Sequence, residues 1–390
     1  MNPYKKAFPR SLLLIAAVIA APSWAHMSGS VAVQSPPPKK LIEFGWDRPS
    51  PAFVASHIAS MELRPFDGVV IQFSTGPRVF RRTTVDTTTL ARDALLLQGV
   101  SFSKFTDNFA LINLTRDSTW DWFSDADWAA TLRNISWYAR AAKVGGLRGI
   151  VLDYEAYGPS PWAYPTTQGQ SFEQYATLVQ ARGRQFMWVL QSAFPNVTVL
   201  TLFQLSFLDS LAVLPDERER SAGLERDPYS LLPAFVAGML EAVQGRSRLV
   251  DGNERAYYYP DSIAFQIGAR YIREGALSLV DPKLRAIYRD RVRVGHGIFL
   301  DYLLGIFKWA HDTVAKRVPP ENRVRWVEHN AYYALKSSDE YVWLYSQKVN
   351  WWSDDTLPSG ISEALDNARR LVANSAPLPF KSQDLFIKAQ

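Results

Sequence analysis

The sequence predicts an α/β chain of the (β/α)8 type, a closed parallel barrel with enlarged loops. Three observations predict it. Apolar runs of strand length recur eight times between Leu41 and Tyr345. Most of these runs are followed by a stretch with helical period, so strand and helix alternate through the chain. No glycine-rich phosphate turn follows the first run, which weakens the rival architecture, a doubly wound open sheet. Composition agrees. Of the 390 residues 47% are hydrophobic and 21% charged, enough apolar material for a sizeable core and too much for a disordered chain.

The elements follow in order. The expected strands are Leu41–Trp46, Gly68–Phe73, Phe109–Thr115, Gly149–Tyr154, Val197–Gln204, Arg248–Val250, Val292–Leu300 and Tyr341–Tyr345. Expected helices lie between and after them, at 51–63, 125–143, 171–194, 229–244, 261–273, 321–336 and 360–373. The third of these has the clearest signals: Ser171 with Gln174 forms a capping box, and Pro195 and Asn196 stop the helix before the next strand. The sixth strand is the least typical, being short and polar at its end.

The N-terminus reads as a secretory signal. Lys5, Lys6 and Arg10 precede an apolar run, Leu12 to Ala21, and Ser23-Trp24-Ala25 offers small residues for cleavage before His26. The run is too short to span a hydrocarbon core of about 30 Å. The expected division is a signal peptide at 1–25, a Pro-rich linker at 26–38, a barrel catalytic domain at 39–375 and a C-terminal tail at 376–390. A periplasmic or secreted protein fits this best, without stable membrane insertion. Cysteine is absent, so the chain has neither disulfides nor thiolate metal sites. The formal charge of +5 falls to about +2 once the basic leader is set aside, which removes the compositional support for nucleic-acid binding.

In a barrel of this kind, function gathers where the strands run out at their C-terminal ends. Those ends carry Trp46 and Asp47, Gln72 and Phe73, Asn113 to Asp117, Asp153 to Glu155, Gln204, Asp251 to Glu254, Asp301 and Tyr302, and Trp343 to Gln347. Carboxylates, amides and aromatic rings at one rim suit a carbohydrate, whose hydroxyls take polar partners and whose C–H faces stack on rings. The fourth end is the sharpest. Side chains two apart on a strand share a side, so Asp153 and Glu155 face one way and Leu152 and Tyr154 the other. Neighbouring acids repel when both are ionised, which raises the proton affinity of one and lets it act as a general acid. The competing reading is an acid pair that serves an Arg or a helix N-terminus.

The run Gly149-Ile150-Val151-Leu152-Asp153-Tyr154-Glu155 resembles the fourth-strand motif of TIM-barrel glycoside hydrolases, and within them that of glycoside hydrolase family 18, the chitinase type, whose pattern is D-x-x-D-x-D-x-E. The last two acids match, at Asp153 and Glu155; Arg148 and Val151 stand at the first two. The resemblance implies a glycosidase in which Glu155 is the general acid and Asp153 assists an N-acetyl group of the substrate. The missing upstream acids set the chain apart from the substrate-assisted route of that family.

An ordinary glycosidase places a second carboxylate across the sugar. The candidates are Glu254, Asp251, Asp301 and Asp47, with Glu254 first because the sixth segment turns abruptly polar there; a solvated acid paired with Arg255 is the alternative. Trp46 and Trp343 are expected near the pocket floor, and Tyr157, Trp162, Gln204 and Tyr345 join Asp47, Asp251 and Asp301 as candidate substrate contacts. The loop tryptophans Trp120, Trp122, Trp128, Trp351 and Trp352 serve either as sugar platforms or as loop packing. None of the five His residues has metal-ligand spacing, and there is no GxSxG elbow or P-loop, so no metal or cofactor is expected. The reading is a secreted or periplasmic glycoside hydrolase acting on a polysaccharide or oligosaccharide. The alternatives are an inactive carbohydrate-binding barrel and a carbohydrate-modifying barrel of another chemistry, a lyase or deacetylase.

Overall fold

The structure, a computed structural model, describes residues 37–166, 169–307, 313–353 and 357–386. The expected signal peptide and nearly all of the expected linker lie outside the described residues. What is described contains nine parallel strands: β1 (Lys40–Glu43), β2 (Gly68–Ile71), β3 (Phe109–Asn113), β4 (Gly149–Asp153), β5 (Thr198–Thr201), β6 (Arg248–Asp251), β7 (Val292–Val294), β8 (His296–Phe299) and β9 (Tyr341–Tyr345). Their order is β7-β6-β5-β4-β3-β2-β1-β9-β8. The two edges of this sheet, β7 and β8, are consecutive in the chain and separated by Gly295 alone, so the chain itself closes the ring.

The seventh run, expected as one strand, is therefore two. Its first part pairs with β6 (Val292 opposite Leu249, Val294 opposite Asp251), and its second pairs with β9 (His296 opposite Val342, Phe299 opposite Tyr345). Barrel strands are staggered against their neighbours, and the break lets one segment serve two registers. The Gly295 amide still donates to the Asp251 carbonyl at 2.8 Å across the join.

Parallel register decides what faces inward, because paired residues point to the same side. The rings of Phe109 and Tyr341 meet edge-on with centroids 5.4 Å apart across the barrel, which puts both inside. Alternation then turns Trp343 and Tyr345 inward on β9, and Ile42 and Phe44 with them on β1, where Ile42 pairs with Trp343. On the other wall Asn113 and Asp153 are register partners and face inward at the top. The lower end is closed by ions. Asp107 accepts from Tyr341 Oη at 2.7 Å and pairs with Lys40 at 3.2 Å and Arg148 at 3.7 Å, while Arg248 pairs with Glu340 at 2.6 Å.

Eight principal helices surround the strands: α1 (Pro51–Met61), α2 (Thr87–Gln98), α3 (Asp125–Val144), α4 (Phe172–Ala193), α5 (Leu232–Ala242), α6 (Ser262–Arg273), α7 (Arg323–Ser337) and α8 (Ile361–Ala373). Side-chain caps start several of them: Ser50, Asp86, Ser124, Ser171 in the expected capping box, and Asp261. Helix α2 was not expected from the sequence. It opens on three threonines, poor helix formers, and is carried instead by the Asp86 cap and the buried stripe Leu90, Ala94 and Leu97. Helices α4 and α5 cross with their backbones nearly touching: a Cβ on Gly183 would lie 2.2 Å from the Phe235 carbonyl oxygen, and one on Gly238 1.9 Å from that of Gln180. The expected tail is attached through residue 386. Leu385 is fully buried, Tyr332 Oη donates to the Ala376 carbonyl, and Arg325 lies over the Phe380 ring. No helix among the described residues is long and apolar enough to cross a membrane.

Candidate active site

Strand β4 ends inside the barrel mouth at Asp153, which is 3% exposed. Its Oδ1 accepts from the Glu155 amide at 2.9 Å and its Oδ2 from Asn113 Nδ2, also at 2.9 Å. Asn113 donates as well to the Glu155 carbonyl at 3.1 Å and accepts from the Thr115 amide at 2.9 Å. Asn113, on the neighbouring strand, thus fixes both acids of the Asp-x-Glu pair. Burial first, and then the charge of Glu155, push the Asp153 carboxyl up to about 7, against the lowering effect of those two donors. Glu155 is half-buried and accepts the hydroxyl of Tyr157.

Glu254 reaches the same place from β6. The chain turns sharply through Asn253, held in the left-handed region at φ 43, a conformation Asn tolerates better than most residues. Asn253 is anchored there by donating to His296 Nδ1 at 3.0 Å, and the Glu254 amide donates to the Leu202 carbonyl at 3.0 Å. Burial raises the Glu254 carboxyl well above its ordinary range, with the charges of Glu155 and Asp153 adding to it. The three acids therefore feel one another. Burial and the same three carboxylates raise Tyr229, from the loop before α5. Tyr257 is raised by burial and then by Glu254; it stacks on Tyr345, with centroids 5.8 Å apart.

The sequence reading gave the shared proton to Glu155. In the structure burial and the neighbouring carboxylates raise the proton affinities of Glu254 and Asp153. Arg148, the cation that would have neutralised the pair in an inactive barrel, sits at the opposite end with Asp107 and Tyr341.

The candidate contacts divide. Trp46 is 60% exposed beside the mouth and donates its indole N–H to Tyr345 Oη; Tyr157 is 62% exposed. These two rings and Tyr345 are available to a sugar. Trp343 lies inside the barrel at 1% exposure with its N–H donated to the Gly252 carbonyl, so it is a buried floor and not a stacking surface. Trp162 is corrected more fully. It is completely buried among Trp122, Tyr154 and Phe235 on the outer side of β4, its N–H donated to the Tyr154 carbonyl. Trp120, Trp122 and Trp128 join that cluster, so the aromatic run after the third strand packs a long loop.

Asp251 and Asp301 are also spent within the fold. Asp251 faces outward and accepts from the amides of Gln204, Ser206 and Asn253. Asp301 accepts from the amides of Gln347 at 2.6 Å and Lys348 at 2.8 Å, and Asp47 from that of Trp351 at 2.7 Å. All three knit loops together. The Gln204 side chain is fully buried without a hydrogen-bond partner among the described residues. Sequence reasoning missed Tyr229 as a site residue because it made this position the first residue of the expected helix 229–244, whereas the helix begins at Leu232 and Tyr229 lies in the turn before it. It left Asn113 as one polar residue among several at a strand end. No group of three or more His, Cys, Asp or Glu among the described residues is arranged to hold a metal ion.

No protein-family model matches the chain, and no curated protein does. Among solved structures it is similar to a GH5-4 broad specificity endoglucanase from an uncultured bacterium, at 9% identity and a TM-score of 0.42 over 81% of this chain and 84% of that one. A GH18 chitinase from Pseudoalteromonas aurantia is similar at 12% identity and a TM-score of 0.36, over 86% of this chain and all of the other. A mannonate dehydratase from Streptococcus suis serotype 2 scores 0.41 at 10% identity, over 91% and 98%. Likeness at this level carries no argument about chemistry, and these neighbours catalyse different reactions. The fold rests on the strand order, and the function on the site.

Proposed function

We propose that the protein is a glycoside hydrolase of the periplasm or of secreted material, acting on a polysaccharide or oligosaccharide with Glu254, Glu155 and Asp153 as its acid–base machinery. One observation carries this reading: carboxyls from the ends of two non-adjacent strands, β4 and β6, meet in the barrel mouth, and two of them have proton affinities raised by burial and mutual repulsion. A raised carboxyl keeps its proton near neutral pH and delivers it to a leaving-group oxygen. Glu254 has that role here, Glu155 is the facing carboxylate, and Asp153 orients Glu155 through its backbone amide. Trp46 and Tyr157 offer ring faces to the sugar, and among the described residues no Arg or Lys figures in the charges acting on Asp153 and Glu254.

The test is a panel of neutral and charged polysaccharides incubated with the purified mature chain, with reducing-end release and product analysis. Glu254→Gln and Glu155→Gln each should cost about 10²–10⁴-fold in turnover on the hydrolysed member while binding is kept. Binding with no hydrolysis of any member would move the protein to the inactive carbohydrate-binding reading.

A further inference from the structure

A second polar cluster lies outside the mouth. Glu43, the last residue of β1, pairs in register with Leu344, so it faces away from the barrel interior, yet it is completely buried. Its carboxylate meets the Asp47 carboxylate and the Gly45 amide, and no side-chain donor serves either oxygen. Two other buried oxygens share that condition, Asp47 Oδ1 and Ser346 Oγ, and Ser346 is itself fully buried. All of these crowd one point. A Cβ placed on Gly45 would be 2.4 Å from Asp47 Oδ1, 2.7 Å from Ser346 Oγ and 2.8 Å from Glu43 Oε1. Any residue but glycine would fill the space into which the three oxygens turn.

Buried polar atoms are almost always partnered, and two buried carboxylates without a counter-charge are costly. The nearby cation Arg48 is stacked over the Trp46 ring, 5.7 Å from its centroid. We infer that Glu43, Asp47 and Ser346 form a binding site for a single hard divalent cation, calcium in preference to magnesium, which ties the top of β1 to the loop that follows β9. The donor set is all oxygen, which selects against zinc and copper. Two carboxylates balance a double charge, and with both Glu43 oxygens the side chains supply four ligand atoms. Magnesium dehydrates reluctantly and keeps several waters, whereas calcium accepts carboxylate, hydroxyl and carbonyl oxygens in irregular geometry, as a closed site requires. The site is distinct from the acids of the mouth and does not depend on the proposed hydrolysis.

The experiment uses the full mature chain, stripped with EDTA and desalted. Calcium chloride at roughly a hundredfold above its Kd should raise Tm by about 5 °C. Magnesium should do much less, and metal analysis of the reloaded protein should find one calcium per chain. Glu43→Gln should abolish the calcium response, and Ser346→Ala, which leaves both acids in place, should weaken calcium binding by tenfold or more. The inference is overturned if the stripped protein gains no calcium and no Tm. It is equally overturned if Glu43→Gln responds as the unaltered chain does; in either case the two acids hold a shared proton instead.

Discussion

Glu254 and Glu155 illustrate how one pair of residues can be tested from both sides. If Glu254 donates the proton, turnover falls as pH rises through its raised pKa. Part of that elevation comes from the Glu155 charge, so removing the charge lowers the pKa. The residual activity of Glu155→Gln should therefore lose its alkaline limb at lower pH than the unaltered protein, as a pH–rate profile will show. An unmoved limb would mean that Glu254 is not the titrating acid. Stability runs the other way. A carboxyl whose folded pKa lies above its unfolded value destabilises the fold as pH rises between the two. Glu254→Gln should therefore raise Tm at pH 8 relative to the unaltered chain and lose that advantage near pH 4, a comparison scanning calorimetry can make. The acids of the mouth were legible in the sequence because an Asp-x-Glu at the end of a buried run has few other uses. The roles proposed for them were not, since these depend on how the carboxyls from two strands act on one another. The loop tryptophans stayed open between two uses for a related reason: a loop ring that stacks on sugar and one that packs under the loop have the same spacing.

At the scale of elements, the close crossing of α4 and α5 makes a sharp claim. The helix backbones meet through Gly183 and Gly238, where an added methyl would overlap a carbonyl oxygen. Gly238→Ala should cost about 1–3 kcal/mol, the usual range for overpacking, although alanine is the better helix former by about 1 kcal/mol. Urea denaturation would measure this, and a neutral or stabilising result would show that the helices can separate freely. Strands were the most legible elements, since buried parallel strands read as continuous apolar runs. Helix α2 was hidden behind its threonines, and the short helical pieces after β5 and β8 are too brief to show a period.

At the scale of the molecule, eight apolar runs and seven of the helices around them could be counted from the sequence, but how the ring closes could not. Register is a property of two strands at once, and nothing in Val292–Leu300 announces that its halves serve different partners.

That division has a consequence for motion. The ring resembles a hoop with an overlapped end more than a welded band: below Gly295 the joint is held by β6 and above it by β9, and beyond the paired end of β6 the join is spanned by two backbone bonds, from the Gly295 amide to the Asp251 carbonyl and from the Gly297 amide to that of Asn253. Asn253 and Glu254 stand just past that overlap, held by single bonds to His296 and to the Leu202 carbonyl, whereas β4, which ends at Asp153, is stitched to β3 through five paired residues. The two sides of the mouth are thus held differently, one by a strand ladder and the other by single bonds. Amide hydrogen exchange should find residues 252–258 opening faster than Asn113 and Asp153, and uniform protection around the rim would show the joint to be as firm as the rest. In the proposed hydrolysis, a side held by single bonds lets the Glu254 carboxyl shift toward a bridging oxygen while Asp153 stays fixed on its ladder.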